Sequence, residues 1–197
     1  MKSTALVVCL VSLAIVLGLA VPSQAAYEFY MSVKGSKQGQ FKAENTKVPN
    51  GLTCLGLQLE AESQRDTASS LPTGRRQYTP VTITRQWGAA SPLLFEAFAT
   101  NELLPEVVIS FPQVNANGTT FILNTIKLTN AMISRLEYHV EPAAQQPALM
   151  HLLEEVSFSF QKIEVTNVDG GVTAGDTVGA GAALAPGHLF LPGTLAH

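Results

Sequence analysis

The side chains best suited to acid–base or metal chemistry are four widely spaced histidines. Imidazole can shuttle protons near neutral pH or bind a metal ion, but no pair stands in the HExxH arrangement that binds zinc. The chain also has no GxSxG elbow and no glycine-rich phosphate loop. A hydrolase hypothesis would need a histidine beside Glu or Ser in a pocket. The sequence predicts no enzyme, no cofactor and no metal site, and the histidines are His139, His151, His188 and His197.

The remaining reactive residue types have simpler structural interpretations. Cys54 precedes an apolar segment, which favours a small core residue over a nucleophile. Glu60 and Glu62 would share one face of a strand. A solvated, exposed pair is a simpler interpretation than the two catalytic carboxylates of a glycosidase. The pair at 75–76 could bind an anion, but an exposed turn beside Gly74 is the favoured interpretation.

Composition limits the class of protein. The chain has 197 residues, of which 46% are hydrophobic and 14% charged, with 12 basic and 15 acidic residues and a net charge of −3. This length suits one domain with a sizeable core, with or without tails. Without a basic excess to neutralise phosphates, we expect no nucleic-acid partner. Two cysteines cannot supply a disulfide framework or a cysteine zinc site.

Residues 1–25 have the pattern of a secretory signal peptide. Lys2 gives the positive start, Ala5 to Ala20 is an apolar run, and small residues precede a predicted cleavage after Ala25. An uncleaved membrane anchor is the alternative, and it is disfavoured because the run is short for a spanning helix. We therefore expect a secreted or periplasmic protein that has no membrane contact after cleavage.

The body of the chain predicts a β-rich domain. From Tyr27 to Val33, apolar and polar residues alternate with the period of a half-buried strand. Around Gln161 the apolar phase changes, so either both faces are buried or a bulge interrupts the strand. Six more segments have strand character: Leu55 to Ala61, Val81 to Thr84, Val107 to Phe111, Thr120 to Leu128, Ala131 to Val140 and Glu155 to Val165.

One short segment has a helical period instead. Ser91 is placed as the N-cap, proline follows at the first helical position, and Asn101 is placed as the C-terminal cap. Leu94, Ala97 and Phe98 fall on one face, which should pack against the sheet.

Two stretches lack both periods. Ser63 to Tyr78 is polar and long for a connection inside a compact domain, and such loops are often functional. Residues 170–197 are rich in Gly and Ala, and we expect a flexible tail there.

The ordered set of motifs resembles the Hcp family, the haemolysin-coregulated proteins of the type VI secretion system. The similarity covers about three quarters of the chain. No single motif is diagnostic, but the order of all of them is specific. The segments are Tyr30 to Gly35, Gly74 to Arg85, Ala90 to Ala97, Thr100 to Glu102, Ile126 to Ser134 and Leu153 to Ile163.

This resemblance implies a mainly β fold over residues 26–169, a small barrel of two β-sheets with one short α-helix packed on it. It also implies a non-catalytic subunit that forms a ring of six and stacks into a hollow tube. The implied partners are copies of itself, effector cargo, and the tip and sheath proteins of the secretion apparatus. In the family the loop that corresponds to 63–78 reaches a neighbouring ring, so the expected ring-stacking residues are Arg65, Asp66, Thr67, Ser69, Ser70, Arg75 and Arg76.

Two features depart from the family pattern. Typical tube proteins have no cleavable signal. Their common ending is rich in Trp and Thr, whereas residues 166–171 here keep Asp-Gly-Gly without a tryptophan, and the Gly/Ala tail is an addition. The alternative is therefore an Hcp-like binding module that is exported and acts in the periplasm or outside the cell, independently of the injection apparatus.

Overall fold

A computed structural model describes residues 28–42, 48–74, 76–143 and 146–178 of the chain. The signal segment with its predicted cleavage after Ala25, the stacking residue Arg75 and residues 179–197 of the expected tail lie outside these ranges.

The described residues are mainly β, as the alternating patterns predict. Within the described ranges there are twelve strands and one short helix, α1 (Ser91–Ala99). The strands are β1 (Phe29–Gly35), β2 (Gly39–Gln40), β3 (Leu52–Cys54), β4 (Gly56–Gln58), β5 (Ala61–Glu62), β6 (Gln77–Tyr78), β7 (Val81–Gln86), β8 (Leu104–Val114), β9 (Thr120–Ala143), β10 (Gln146–Ser159), β11 (Lys162–Asn167) and β12 (Val172–Thr177).

The long strand β9 belongs to two sheets. Its first half pairs antiparallel with β8 and β11, and its second half pairs antiparallel with β10. Hydrogen-bonded neighbours follow the order β2-β1-β8-β9-β10-β7-β4, which passes from the first sheet to the second through β9. In the first sheet, β12 lies beside β11, and β3 pairs with β1. A β9 of 24 residues therefore carries the chain from one layer of the domain to the other.

The strands do not close into a barrel, which corrects one part of the expected architecture. Cys54 pairs with β1 on one side, whereas Gly56 pairs with β7 on the other. Between them the Leu55 N–H donates to the Thr84 carbonyl at 2.8 Å. The chain therefore bends at Leu55 from the sheet of β1 to the sheet of β7. Because β3 pairs with β1 and β4 pairs with β7, no single strand here joins the two sheets.

The core lies between the two sheets. In β1, Met31 and Val33 are fully buried, and Phe158 of β10 is buried on the opposite side of the core. The Cys54 thiol is also fully buried, which confirms its expected place in the core.

The change of phase after Phe160 has a topological cause. β10 ends at Ser159 in the second sheet, and β11 begins at Lys162 in the first sheet. The segment is thus two strands in different sheets, and Val165 on β11 is about half exposed.

Helix α1 ends as the sequence predicts but begins differently. Asn101 adopts the left-handed conformation with φ 49°, and the Asn101 and Glu102 N–H groups donate to the Phe98 and Ala97 carbonyls. This pattern is a Schellman cap. Ser91 is helical and does not cap the backbone with its side chain. The buried face holds Ser91, Leu94 and Ala97, while Phe98 is 37% exposed, so the expected packing of Phe98 is corrected.

Part of the expected flexible tail is a strand. β12 pairs with β11 over its whole length, from Lys162 opposite Thr177 to Asn167 opposite Val172. The connecting turn uses Gly171 at a φ of 61°. The small residues of β12 hide it from a search for alternating patterns, because the strand gains its order from backbone hydrogen bonds to β11.

Candidate assembly surface

The predicted stacking loop is an ordered β-hairpin, which we call the arm (residues 59–78). β5 and β6 form a separate two-stranded sheet at its base. Further out, the backbones of Arg65 and Pro72 pair in an isolated antiparallel β-bridge. The Thr73 N–H donates to the Gln64 carbonyl at 3.0 Å. The arm therefore holds its shape through its own backbone hydrogen bonds.

The tip of the arm is a turn organised by one carboxylate. Asp66 Oδ1 accepts hydrogen bonds from the Ala68 N–H at 3.0 Å and from the Ser69 N–H at 2.7 Å. Its bonds with the Ser69 backbone and hydroxyl, then with Ala68, lower the pKa of Asp66. Arg65 Nη1 donates to the carbonyl of Ser70, which has a φ of 56°. This turn is a compact, locally satisfied structure.

The structure divides the expected stacking residues into two groups. Five of them lie at or beside the tip with exposed side chains, whereas Arg76 lies at the base of the arm. The tip residues are Arg65, Asp66, Thr67, Ser69 and Ser70.

A charged latch fixes the base of the arm to β12. Arg76 Nε lies 2.6 Å from Asp176 Oδ2, and its Nη2 donates to Oδ1 at 2.9 Å. The Tyr78 hydroxyl donates to Asp176 Oδ2 at 2.7 Å, and its ring meets Phe160 edge to face at 5.6 Å. Burial alone would raise the pKa of Asp176, but the bonds from Tyr78 and Arg76 outweigh it and lower that pKa. Burial, and then the bond to Asp176, raises the pKa of Tyr78.

A second exposed feature is an aromatic patch made by Trp87, Pro92, Phe95 and Tyr138. These residues line a cavity of about 380 Å³. Trp87 and Phe95 remain 50% and 54% exposed, and the Trp87 and Tyr138 rings meet edge to face at 5.1 Å. Clustered exposed aromatic side chains are typical of the centre of protein–protein interfaces.

A buried ion pair lies behind this patch. Arg85 of β7 and Glu154 of β10 are fully buried, and Arg85 Nη1 bonds Glu154 Oε1. The Ser91 hydroxyl donates to the same oxygen at 2.8 Å and accepts from the Gly88 N–H at 2.9 Å. This network joins two strands to the first turn of α1, and it gives the aromatic patch a rigid base.

A second buried acid joins the end of α1 to the β1–β2 turn. Glu102 Oε1 accepts from the Lys37 and Gln38 N–H groups at 2.6 and 2.9 Å, and Oε2 accepts from Gln38 Nε2 at 2.9 Å. Desolvation opposes ionisation, but these donors, with Lys37 nearby, lower the pKa of Glu102. A side chain at Gly35 would overlap this carboxylate, which explains the glycine.

Of the four histidines, His139 is the one whose side chain the structure describes. His139 lies half-buried beside Glu137 and Glu155, with Nε2 3.5 and 4.0 Å from their nearest carboxylate oxygens. None of these three residues lines the aromatic cavity or the cavity beside the arm latch. His188, His197 and the side chain of His151 lie outside the described part of the chain.

Sequence reasoning missed the latch partner Asp176 and the aromatic patch. Asp176 stands in the segment assigned to the tail, so nothing linked it to the arm 100 residues earlier. The patch joins Trp87 just after β7, Phe95 of α1 and Tyr138 of β9, and only the fold brings them together. Along the described ranges, no helix combines the length and the apolar character needed to cross a membrane.

Comparisons with known proteins agree with this architecture. Residues 30–166 match the family model described as "Type VI secretion system effector, Hcp". The chain is 32% identical over 160 residues to the "Major exported protein" of Pseudomonas aeruginosa PAO1, a match that covers 75% of this chain and 92% of that protein.

Solved structures share the fold. One described as "Crystal structure of Hcp protein" has a TM-score of 0.69 at 21% identity, covering 77% of this chain and 99% of that one. "Secreted protein Hcp3 from Pseudomonas aeruginosa" has a TM-score of 0.59 at 25% identity, covering 76% and 97%.

The described residues form a mainly β fold of two main sheets and one short helix, and solved Hcp structures share this fold. Because the family model matches well over half of the chain, the protein belongs to the Hcp family. The resemblance inferred from the ordered motifs is confirmed.

Proposed function

We propose that this chain is a non-catalytic structural subunit of a type VI secretion system. In this proposal, six copies form a ring, and the rings stack into a hollow tube that carries or chaperones effectors. Tip and sheath proteins of the apparatus would be its further partners. Membership of the Hcp family supports this assignment, and the arm is the observation that carries it.

The arm has the properties of a docking element between copies. Its tip is exposed, yet the Asp66 turn and the cross-arm hydrogen bonds already order it. Because an ordered element loses little conformational freedom on binding, preorganisation favours association. The latch from Arg76 to Asp176 fixes the base from which the arm projects. We assign the tip residues to stacking and Arg76 to holding the base.

Ring closure needs a second kind of contact. Identical subunits close a ring through two different surfaces that fit one another. The aromatic patch supplies one apolar surface, and the outer edge of β12, with Val172 exposed, supplies a candidate for the other. An edge strand offers unpaired backbone groups to a neighbouring chain.

Export is the other part of the proposal. We propose that residues 1–25 are removed after Ala25, which gives a secreted or periplasmic protein. The signal pattern supports this, as does the relative called "Major exported protein". An exported Hcp-like module that acts without the injection apparatus is the second candidate, because a signal peptide provides its own route out of the cytoplasm.

One experiment separates stacking from ring formation. Residues 64–73 are replaced by Asn-Gly, which removes the tip but keeps β5, β6 and the latch. The matched control replaces residues 115–119, the exposed turn between β8 and β9, by Asn-Gly. Light scattering measures ring size, and electron microscopy measures tube length. We expect both variants to form rings and only the control to form long tubes.

Two results would overturn parts of the proposal. Long tubes from the arm variant would refute the stacking role, and an unmodified protein that stays monomeric at tens of micromolar would refute ring formation. N-terminal sequencing of exported protein tests cleavage. Release from cells with a disabled apparatus would favour the second candidate over the first.

A further inference from the structure

The exposed face of the β9–β10 pair brings two carboxylates and one imidazole together. Glu137 and Glu155 are directly opposite each other in the ladder, and His139 follows Glu137 by two positions on the same face. One ligand atom from each residue lies within 4.8 Å of the other two. Spacing along the chain does not reveal this set, because Glu155 stands 16 positions beyond His139 and the strand register brings them together.

From this geometry we propose that Glu137, His139 and Glu155 bind a divalent transition-metal ion, with Zn²⁺ as the best-fitting class. A tetrahedral zinc with bonds of about 2.0–2.1 Å separates its ligand atoms by roughly 3.3 Å. The present separations of 3.5 Å and 4.0 Å from His139 Nε2 exceed ordinary hydrogen bonds but approach this value. Small side-chain rotations complete the site.

A neighbouring cation orients one of the ligands. Arg135 pairs with Glu137 through Oε2, while Oε1 is the oxygen that faces His139. Arg135 therefore supports the carboxylate from outside and leaves the metal-facing oxygen in place. Such outer contacts commonly fix the orientation of metal ligands.

Electrostatics also favours a cation at this point. Like charges directly opposite on neighbouring strands destabilise a sheet, and Glu137 and Glu155 are such a pair. A divalent ion between them offsets this repulsion. One nitrogen and two carboxylate ligands suit zinc better than Mg²⁺ or Ca²⁺, which prefer oxygen alone. Three protein ligands leave a fourth position for water.

Zinc titration of the purified protein tests the proposal. After EDTA treatment and its removal, ZnCl₂ is added in a calorimeter, and the melting temperature is followed in parallel. We expect one ion per chain and a rise in melting temperature with zinc. His139→Ala and Glu155→Gln should each weaken binding at least tenfold.

Glu106→Gln is the matched control, because it neutralises an exposed carboxylate that pairs with Lys127 on another part of the sheet. It should bind zinc as the unmodified protein does. Circular dichroism confirms that each variant is folded. Binding that persists unchanged in His139→Ala, through the terminal histidines for example, overturns the proposal. So does the absence of zinc binding. Neither outcome bears on ring or tube formation.

Discussion

Removing the cation of the buried Arg85–Glu154 pair should destabilise the domain strongly. Both side chains are fully buried, and Glu154 Oε1 accepts from Arg85 and from Ser91. Arg85→Met keeps an apolar side chain of similar length and leaves the carboxylate without its charged partner. Breaking a buried pair in this way costs about 3–5 kcal/mol. We expect the free energy of unfolding to fall by that amount.

The double variant isolates the pair from the rest of the network. In Arg85→Met with Glu154→Leu, neither of the two positions carries a buried charge, and well-packed apolar replacements of ion pairs are often neutral. The Ser91 hydroxyl loses its acceptor, which costs about 1 kcal/mol. The double variant should therefore lose only about 1–2 kcal/mol, which is less than Arg85→Met alone. Glu154→Leu alone leaves Arg85 buried without this carboxylate and should also cost about 3–5 kcal/mol. The losses of the two single variants together should therefore exceed the loss of the double variant by at least about 4 kcal/mol.

Urea denaturation followed by circular dichroism measures these differences, and Arg135→Met is the control. Arg135 also pairs with a glutamate but is two-thirds exposed, so its loss should cost less than about 1 kcal/mol. If Arg85→Met lowers the free energy of unfolding by less than about 1 kcal/mol, the reasoning is refuted, because removing the cation of a buried ion pair should cost more than that. Losses that simply add in the double variant would show that the two side chains do not stabilise each other.

Three further predictions concern the latch, the second buried acid and the helix. Asp176→Asn should leave the domain folded but raise the rate of proteolysis within the arm, because the latch loses its charge; unchanged cleavage in a time course would contradict this. Because the pKa of Glu102 is lowered on folding, its contribution to stability is complete above its ordinary value of 4.5 and is lost as pH falls through the lowered one. Glu102→Gln should remove that part of the pH dependence in urea titrations. Leu94→Ala should cost about 2–5 kcal/mol because Leu94 is fully buried, whereas Phe98→Ala should cost clearly less; equal melting shifts would contradict the assigned helix face.

Strong periodic patterns allowed much of the fold to be predicted. The alternation in β1 placed Met31 and Val33 in the core, and the helix stop at Asn101 followed from its tolerance of the left-handed conformation. These features depend on local sequence, so the local sequence reveals them.

The misplaced features depend on partners that are distant in the chain. Ser91 has the residue type of an N-cap, but its hydroxyl donates a hydrogen bond to the buried Glu154 carboxylate. β12 has no apolar alternation, because it is an edge strand held by backbone bonds to β11. The bend at Leu55, which keeps the strands from closing a barrel, depends on which neighbour each short strand meets.

The arm depends both on its local sequence and on a partner that is distant in the chain. Its polar sequence predicts an exposed loop, and the motif beside it identifies the family, but its orientation depends on Asp176, which lies beyond the residues 30–166 that match the family model. A hairpin that contacts its own domain mainly at its base can pivot there unless a side chain prevents it. Arg76 and Tyr78 both donate to the Asp176 carboxylate, so the latch holds the base of the arm through two side chains. Asp176 of β12 therefore contributes to the position of the tip, together with the backbone hydrogen bonds within the arm.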